Sequence, residues 1–228
     1  MMKFVLIGPG QLGRHLLQAA VGERLVIGKT EEDAERLAHA AGAIWTADKA
    51  QVVDGDVIAV AVPAEETCSV LFEIAKNVPS GALVLNFATA VSIPDEIQES
   101  RPDVHWLEAK MVGSAVGMEH GMRCAIALGT TDTILLERVQ KCFPDLSDCF
   151  LLADPTLAPK ANTMATKAAL RAAIALEEEL TACQMPQPLI DAALGCAFPG
   201  VVLSYQKGTL GGFAQKIVQQ IRAQSDNI

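Results

Sequence analysis

Short apolar runs alternate with amphipathic stretches along most of the chain. The runs are rich in β-branched residues, as expected of strands that are buried on both faces of a parallel sheet. The predicted strands cover residues 4–7, 24–28, 43–45, 56–62, 82–87, 104–108, 124–128 and 149–152. Most stretches between them carry apolar residues at helical spacing. We therefore predict a doubly wound, mostly parallel α/β sheet.

The pattern changes after residue 153. From Pro155 onward the chain shows only helical periodicity, interrupted by prolines and glycines. Its first helix, about residues 160–183, carries small and apolar residues over most of its circumference. Such a helix needs cover on several sides, and the residues that remain are too few to enclose it. We expect an α/β domain over residues 1–153 and an all-α domain over residues 154–228 that forms a homodimer; an intramolecular bundle is the alternative.

The first predicted strand ends in a glycine-rich turn. Gly8, Gly10 and Gly13 form a G-x-G-x-x-G pattern that leads into Leu12 and Leu16 at helical spacing. In a dinucleotide-binding Rossmann domain these glycines allow a tight turn, close approach of a pyrophosphate and close packing of the helix on the sheet. The helix N-terminus adds free N–H groups and a favourable dipole. The pattern predicts a Rossmann domain with a dinucleotide cradle.

The end of the second predicted strand distinguishes NAD from NADP in such domains. An acidic residue there binds the adenosine ribose, whereas a basic or hydroxyl side chain suits a 2′-phosphate. This chain has Lys29 and Thr30 after Gly28, and no acid. We expect NADP, with Lys29 as the cation and Thr30 as a hydroxyl donor. The alternative is that Lys29 is a solvated loop lysine and Thr30 only caps the next helix.

The chain at the carboxyl ends of two later strands should border the same cleft. Ala61, Val62 and Pro63 end the run that begins at Asp56, and we expect their backbone to contact the nicotinamide ribose. A core strand ended by a proline would have the same sequence. Residues 86–89 end the next strand and should also face the cleft.

The composition of the chain argues against several kinds of binding partner. A net charge of -9 argues against a surface for nucleic acid or anionic membranes. No signal peptide precedes the first strand and no apolar run reaches membrane-spanning length, so we expect a cytoplasmic protein without a membrane partner. The six cysteines include no C-x-x-C pair. We expect them to be reduced and mostly buried, and expect no metal site.

Four segments resemble the N-terminal half of the pyrroline-5-carboxylate reductase family, which is grouped with the deazaflavin-dependent NADP reductases in one Rossmann superfamily. They are residues 5–13, 28–30, 56–63 and 86–93. The resemblance extends over residues 3–153 and is loose in the helical region. It implies that the pyrophosphate is held by Gly8, Gly10, Gln11 and Leu12, the 2′-phosphate by Lys29 and Thr30, and the nicotinamide end by Ala61, Val62, Pro63 and Ala88.

Two motifs of that family are altered in this chain. Its Met-Pro-Asn-Thr-Pro motif is replaced by Met111-Val112-Gly113-Ser114-Ala115. Its Ser-Gly-Ser-Gly-Pro-Ala stretch, which receives the substrate carboxylate, would fall near residues 162–167, where only small polar character remains. The resemblance implies a pyrroline-5-carboxylate reductase-like, NADPH-dependent reduction of a small imine or carbonyl compound, and the altered motifs argue against pyrroline-5-carboxylate itself as the substrate.

Hydride transfer needs a positioned nicotinamide and a proton for the substrate heteroatom. The candidate catalytic side chains are Lys110 and Ser114, beyond the sixth predicted strand, and Lys160, Asn162 and Thr163, where the helical region begins. A lysine can bind a carboxylate or protonate an alkoxide, and the other side chains can orient it. Each is also explained as an ordinary surface residue or helix cap.

Two other functions stay open. A β-hydroxyacid dehydrogenase shares the two-part architecture but uses a lysine and an asparagine one turn apart, whereas Met164 follows Lys160 and Arg171 follows Lys167 at that spacing. A non-catalytic NADP(H)-binding sensor would explain the altered substrate motifs. Consumption of the cofactor separates an enzyme from a sensor.

Overall fold

The computed structural model describes residues 1–28 and 31–225, with the backbone alone at residues 31, 33 and 225. The chain is divided into two compact units, Met1–Thr163 and Met164–Ile228. The division falls within a long helix that begins at Leu157.

The first unit contains a sheet of eight strands. The strands are β1 (Lys3–Ile7), β2 (Glu23–Ile27), β3 (Ile44–Thr46), β4 (Val57–Val60), β5 (Leu83–Asn86), β6 (His105–Val112), β7 (Ala125–Leu128) and β8 (Phe150–Leu152). Their order is β3-β2-β1-β4-β5-β6-β7-β8. Every neighbouring pair is parallel except β6 and β7, which are antiparallel. The predicted Rossmann-type, mostly parallel sheet is confirmed.

Helices connect most of these strands. They are α1 (Gln11–Ala19), α2 (Glu31–Ala41), α3 (Ala64–Ile74), α4 (Asp95–Ser100), α5 (Ala115–Glu119), α6 (Thr133–Cys142) and the start of α7 (Leu157–Ala182). Two 3-10 turns, Lys49–Asp54 and Pro144–Cys149, precede β4 and β8.

The core lies on both faces of the sheet because residues 4–7 of β1 and all residues of β4 are apolar and buried. Phe4 and Leu6 of β1 pack with Leu16 and Leu17 on one face, whereas neighbouring residues of β1 join a second cluster on the other face. Phe143 extends the first cluster, with its ring centroid 5.2 Å from that of Phe4. Full burial of each such side chain contributes about 1.5–3 kcal/mol, which makes this sheet a rigid support for the loops at its edges.

The second unit is helical. It contains the rest of α7, then α8 (Gln187–Ala192), α9 (Phe198–Gln206) and α10 (Gly212–Ser225), with a π-helical turn, Ala193–Ala197, between α8 and α9. In the described part of this unit, Ile190 is the one large hydrophobic side chain that is buried. The helical character agrees with the sequence prediction.

One sequence expectation does not hold. The continuous helical segment Gln187–Gln206 has 20 residues, and its most apolar stretch of 18 residues has a mean hydropathy of 1.4, so by length and composition it is long and apolar enough to cross a membrane. The sequence analysis missed it because prolines and glycines appeared to interrupt the segment, whereas the helix continues through a π-helical turn.

The cysteines are free, and half of them are buried. Cys124, Cys142 and Cys149 are buried, whereas the other three are exposed, so the expectation that most would be buried was wrong. Burial raises the pKa of the Cys142 thiol to about 12. Among the described residues, no group of His, Cys, Asp and Glu side chains is arranged to hold a metal ion.

Candidate functional site

The turn between β1 and α1 has a geometry that only glycine supports. Gly8 has a φ of +101°, and a Cβ atom there would lie 2.5 Å from the carbonyl oxygen of Ala61. A Cβ atom on Gly13 would lie 2.2 Å from the carbonyl oxygen of Gly8, so α1 packs directly on the turn. The backbone N–H of Ala61 donates to Ile7 at 2.8 Å and brings the end of β4 beside this turn.

The start of α1 is open. Gly10 is its N-cap in an extended conformation, and among the described residues no side chain caps it. The first turn carries no acidic residue, and Arg14 donates to Gly10 at 2.9 Å as the first helical bond. The N–H groups before it have no intrahelical acceptor, which together with the helix dipole favours an anion. No atom lies within 4 Å of a Cβ built on Gly10, so the backbone is accessible to a pyrophosphate.

A cleft of about 240 Å³ opens at this edge of the sheet. Predicted cofactor residues that line it are Gly8, Gly10, Ala61, Val62 and Pro63. Residues that the sequence analysis missed also line it, namely Ile7, Pro9, Ile27, Gly28, Ala47, Lys49 and Glu66. The glycine turn and the end of β4 therefore form one cavity, and the backbone groups present fit a dinucleotide.

Other predicted cofactor residues lie around this cleft or outside the described part of the chain. Gln11 is exposed at the first position of α1, and Leu12 packs against the core. Ala88 is buried and is not part of the cleft lining. Lys29 and Thr30 lie outside the described residues.

Lys49 is a cation that sequence reasoning missed. It lies in the 3-10 turn after β3, and its Nζ atom is 2.6 Å from Oε2 of Glu73. Asp48 fixes this turn by accepting a hydrogen bond from the N–H of Ala50 at 2.9 Å. The cap at Asp48 was a local signal for the turn, but no local pattern indicated that the turn borders the cleft.

Lys110, a predicted catalytic residue, is buried in β6. Its side chain is 5% exposed, and its Nζ atom lies 2.6 Å from Oε2 of Glu108. The ammonium also donates to the carbonyl oxygens of Ala88 and, at 2.7 Å, Val91. Burial lowers the pKa of Lys110, and the hydrogen bond to Glu108 opposes this effect. The three donors of the ammonium are therefore used within the protein.

Asn162, another predicted catalytic residue, binds the backbone at the end of β6. Its Nδ2 atom donates to the carbonyl of Met111 at 2.7 Å, and its Oδ1 atom accepts from the N–H of Gly113 at 3.1 Å. Gly113 has a φ of +146°, and a Cβ atom there would lie 2.9 Å from Cβ of Cys124. The side chain of Asn162 therefore fixes the start of α7 to the exit of β6.

The remaining predicted catalytic residues are exposed. Ser114 follows Gly113 and caps α5, where its Oγ atom accepts from the N–H of Gly117 at 3.0 Å. Thr163 donates to the carbonyl of Pro159 at 2.8 Å. Lys160 is exposed on the first turn of α7. The structure thus brings Ser114 and Asn162 to the same turn, and the catalytic roles of all these residues stay predictions.

The strand order and the glycine turn define a Rossmann-type fold, and the open start of α1 has the geometry that binds a nucleotide phosphate in such folds. Residues 3–89 match the protein family described as NADP oxidoreductase coenzyme F420-dependent. The matched segment contains the β1 turn and the end of β4, and it ends just after Ala88. No curated protein sequence matches the chain.

Solved structures share the fold at low sequence identity. A pyrroline-5-carboxylate reductase from Coxiella burnetii has a TM-score of 0.73 at 13% identity, over 98% of this chain and 91% of that one. An imine reductase variant from Myxococcus stipitatus, in complex with NAD+, has a TM-score of 0.64 at 16% identity, over 91% and 78%. A 3-hydroxyisobutyrate dehydrogenase from Mycobacterium tuberculosis has a TM-score of 0.58 at 18% identity, over 86% and 71%. The chain shares the fold of these solved oxidoreductases.

Proposed function

We propose that this protein is an NADPH-dependent oxidoreductase that reduces a small C=N or C=O substrate. The observation that carries the proposal is the open start of α1, which faces the cleft beside Gly8, Gly10 and the end of β4. The family match over residues 3–89 supports the choice of cofactor class. The shared fold of a pyrroline-5-carboxylate reductase and an imine reductase supports a C=N substrate.

In this proposal, one set of residues binds the cofactor and another protonates the substrate. Reduced nicotinamide supplies the hydride when it is bound. The first-turn N–H groups of α1 bind the pyrophosphate, and the backbone of residues 61–63 borders the nicotinamide ribose. Because the ammonium of Lys110 is committed to internal acceptors, we assign protonation of the substrate heteroatom to Lys160, the exposed one of the two candidate lysines. Ser114 and Thr163 are exposed hydroxyl groups that can orient the substrate.

The choice of NADPH rests on the sequence at the end of β2, where Gly28 is followed by Lys29 and Thr30 and neither of these two positions carries an acid. We expect wild type to prefer NADPH over NADH at least tenfold, which corresponds to about 1.4 kcal/mol. Lys29→Ala should abolish this preference. The measurement is a titration that follows the fluorescence of bound reduced nicotinamide.

Lys76→Ala is the matched control for Lys29→Ala because it removes the same charge from an exposed position outside the cleft. It should leave the preference unchanged. Equal binding of NADPH and NADH by wild type would contradict the choice of NADP, and no binding of either would contradict the proposed function as a whole.

Two alternatives are separated by turnover. A β-hydroxyacid dehydrogenase-like activity is supported by the shared fold of the 3-hydroxyisobutyrate dehydrogenase, and it predicts reduction of NADP+ with a small hydroxy acid. A non-catalytic NADP(H)-binding sensor predicts saturable binding without cofactor oxidation by any imine or carbonyl compound. The proposed reductase predicts NADPH oxidation with at least one small imine or keto acid.

We also propose that the protein is a cytoplasmic homodimer in which the helical units of two copies pack against each other. Large apolar side chains are exposed in this unit, namely Met164, Leu170, Ile174, Val201, Val202, Phe213, Ile217 and Ile221. Phe213 alone is 81% exposed, so a substantial apolar surface needs cover. Sedimentation in detergent-free buffer should give twice the chain mass of 24.1 kDa. A monomer would contradict the dimer, and recovery with membranes would instead implicate Gln187–Gln206.

A further inference from the structure

Three polar side chains lie beneath the segment that follows β5. Asn86 and Lys110 are 0% and 4% exposed, respectively, and Glu108 is largely buried. The parallel register pairs Asn86 with Glu108, which places their side chains next to each other. The Nδ2 atom of Asn86 donates to Oε2 of Glu108 at 2.9 Å, and the same carboxylate oxygen is 2.6 Å from Nζ of Lys110. These residues form one connected polar network across two strands.

The network binds the backbone of residues 88–93 at both ends and in the middle. At the start, Ala88 donates its N–H to Oδ1 of Asn86 at 3.0 Å, and its carbonyl accepts from Lys110. In the middle, the carbonyl of Val91 accepts from Lys110 at 2.7 Å and from Asn86 at 2.8 Å. At the end, Ile93 donates its N–H to Oε1 of Glu108 at 2.5 Å.

This binding orients the exposed face of the segment. In a trans peptide group the carbonyl and the following N–H point in opposite directions. Because the carbonyls of Ala88 and Val91 point inward at Lys110, the N–H groups of Thr89 and Ser92 point away from it. Thr89 and Ser92 are exposed, and among the described residues neither N–H donates to a backbone acceptor. The segment therefore presents two directed amide donors to the surface.

The segment lies at the edge of the sheet that carries the cleft. The N–H of Phe87 donates to the carbonyl of Val60 at 2.9 Å, so the end of β5 is fixed beside the end of β4. In a Rossmann sheet the dinucleotide crosses the first strand at this edge, and its second half lies over the strands on the β4 side. Residues 88–92 therefore stand where the nicotinamide half would lie.

We propose that Lys110 is a positioning residue that holds the segment 88–92 in the shape needed to bind the nicotinamide half of the dinucleotide. This inference rests on the proposed function. A buried ammonium loses its hydration, and in some proteins a charge retained at that cost specifies one arrangement of its partners. Here the arrangement specified is the inward orientation of the carbonyls of Ala88 and Val91.

The test compares the affinities of two probes for wild type, Lys110→Met and the double variant Glu108→Gln/Lys110→Met. NADPH reports on both halves of the site, whereas 2′,5′-ADP reports on the adenosine half alone. The double variant avoids leaving an unpaired buried carboxylate but still leaves the carbonyls of Ala88 and Val91 without the ammonium. Lys141→Met is the matched control, since it breaks an exposed ion pair with Glu137.

We expect both Lys110 variants to bind NADPH at least tenfold more weakly, with less fluorescence enhancement of the bound nicotinamide. Their affinity for 2′,5′-ADP should change by less than twofold, and Lys141→Met should match wild type with both probes. Unchanged NADPH affinity in the folded double variant would overturn the inference, and so would an equal loss of affinity for both probes. Failure of wild type to bind NADPH would instead contradict the proposed function.

A further variant, Asn86→Ala, tests the inference if both Lys110 variants fail to fold. Asn86→Ala keeps the ion pair between Lys110 and Glu108 and removes two contacts to the segment, those to Ala88 and Val91. We expect it to weaken NADPH binding by roughly threefold or more while 2′,5′-ADP binding stays unchanged. Equal NADPH affinity of folded Asn86→Ala and wild type would overturn the inference.

Discussion

Two turns at the same edge of the sheet are shaped by opposite means. The turn after β1 depends on missing side chains, because Gly8 and Gly13 leave no room for a Cβ atom. The segment after β5 depends on side chains that reach it from below, above all Lys110. The glycines of the first turn lie close together in the chain and form a recognisable sequence pattern. The side chains that hold the second segment come from two different strands, so the sequence alone does not show that they meet.

The largest loss of stability is expected when a side chain is introduced into the turn after β1. Gly8→Ala places a Cβ atom 2.5 Å from the carbonyl oxygen of Ala61 in a residue with a φ of +101°. Backbone strain and overpacking together should lower the free energy of unfolding by about 4 kcal/mol. Urea denaturation measures this. Gly81→Ala is the control, since its φ of +77° is equally left-handed but nothing lies within 4 Å of the new Cβ atom.

We expect Gly81→Ala to lose only about 1 kcal/mol, the conformational part alone. Similar losses in the two variants would mean that the close approach of Gly8 to Ala61 adds nothing, and the account of the first turn would be wrong.

A somewhat smaller loss is expected where the second segment loses its cation. Lys110→Met leaves the carboxylate of Glu108 buried without its partner and should lower the free energy of unfolding by about 3 kcal/mol. Glu108→Gln/Lys110→Met should recover part of this loss because it removes the unpaired charge. Thermal and urea unfolding of the three proteins test the order. A double variant less stable than Lys110→Met would contradict the assigned ion pair.

The smallest effect is expected at the opposite edge of the sheet, where Arg101 binds the carbonyls of Ala75 and Val78. A hydrogen bond from Arg101 lowers the pKa of the exposed Asp103 from 3.8 to about 2. A lowered carboxyl pKa stabilises the folded state above the unfolded value, and this contribution disappears as the pH falls through the folded value. Wild type should therefore lose more stability than Asp103→Asn between about pH 4 and about pH 2.

The pH dependence of the urea midpoint measures this difference, and identical profiles would contradict the lowered pKa. Asp103→Asn should leave NADPH binding unchanged, since Asp103 precedes β6 at the edge far from the cleft. If Asp103→Asn weakened NADPH binding, a change far from the cleft would be enough to lower cofactor affinity. The losses of binding at the two turns could then no longer be assigned to the local shape of each turn.

The sheet was predictable because buried parallel strands are continuous apolar runs. The dinucleotide turn was predictable because its determinants are glycines close together in the chain. Lys110 was expected in the cleft since the sixth strand was predicted to end at residue 108, whereas β6 continues to Val112 and buries this side chain. Asn162 likewise binds Met111, 51 residues away in the chain, and no local pattern records such a contact.

The central claim is that the open turn after β1 binds a nicotinamide dinucleotide. The most direct measurement is a fluorescence titration of NADPH into wild type and Gly10→Ala. A Cβ atom on Gly10 meets no protein atom within 4 Å, so the variant should fold, with a loss of about 1 kcal/mol or less at the N-cap. We predict saturable binding by wild type and at least tenfold weaker binding by Gly10→Ala, about 1.4 kcal/mol. No binding by wild type, or equal binding by the two proteins, would contradict the claim.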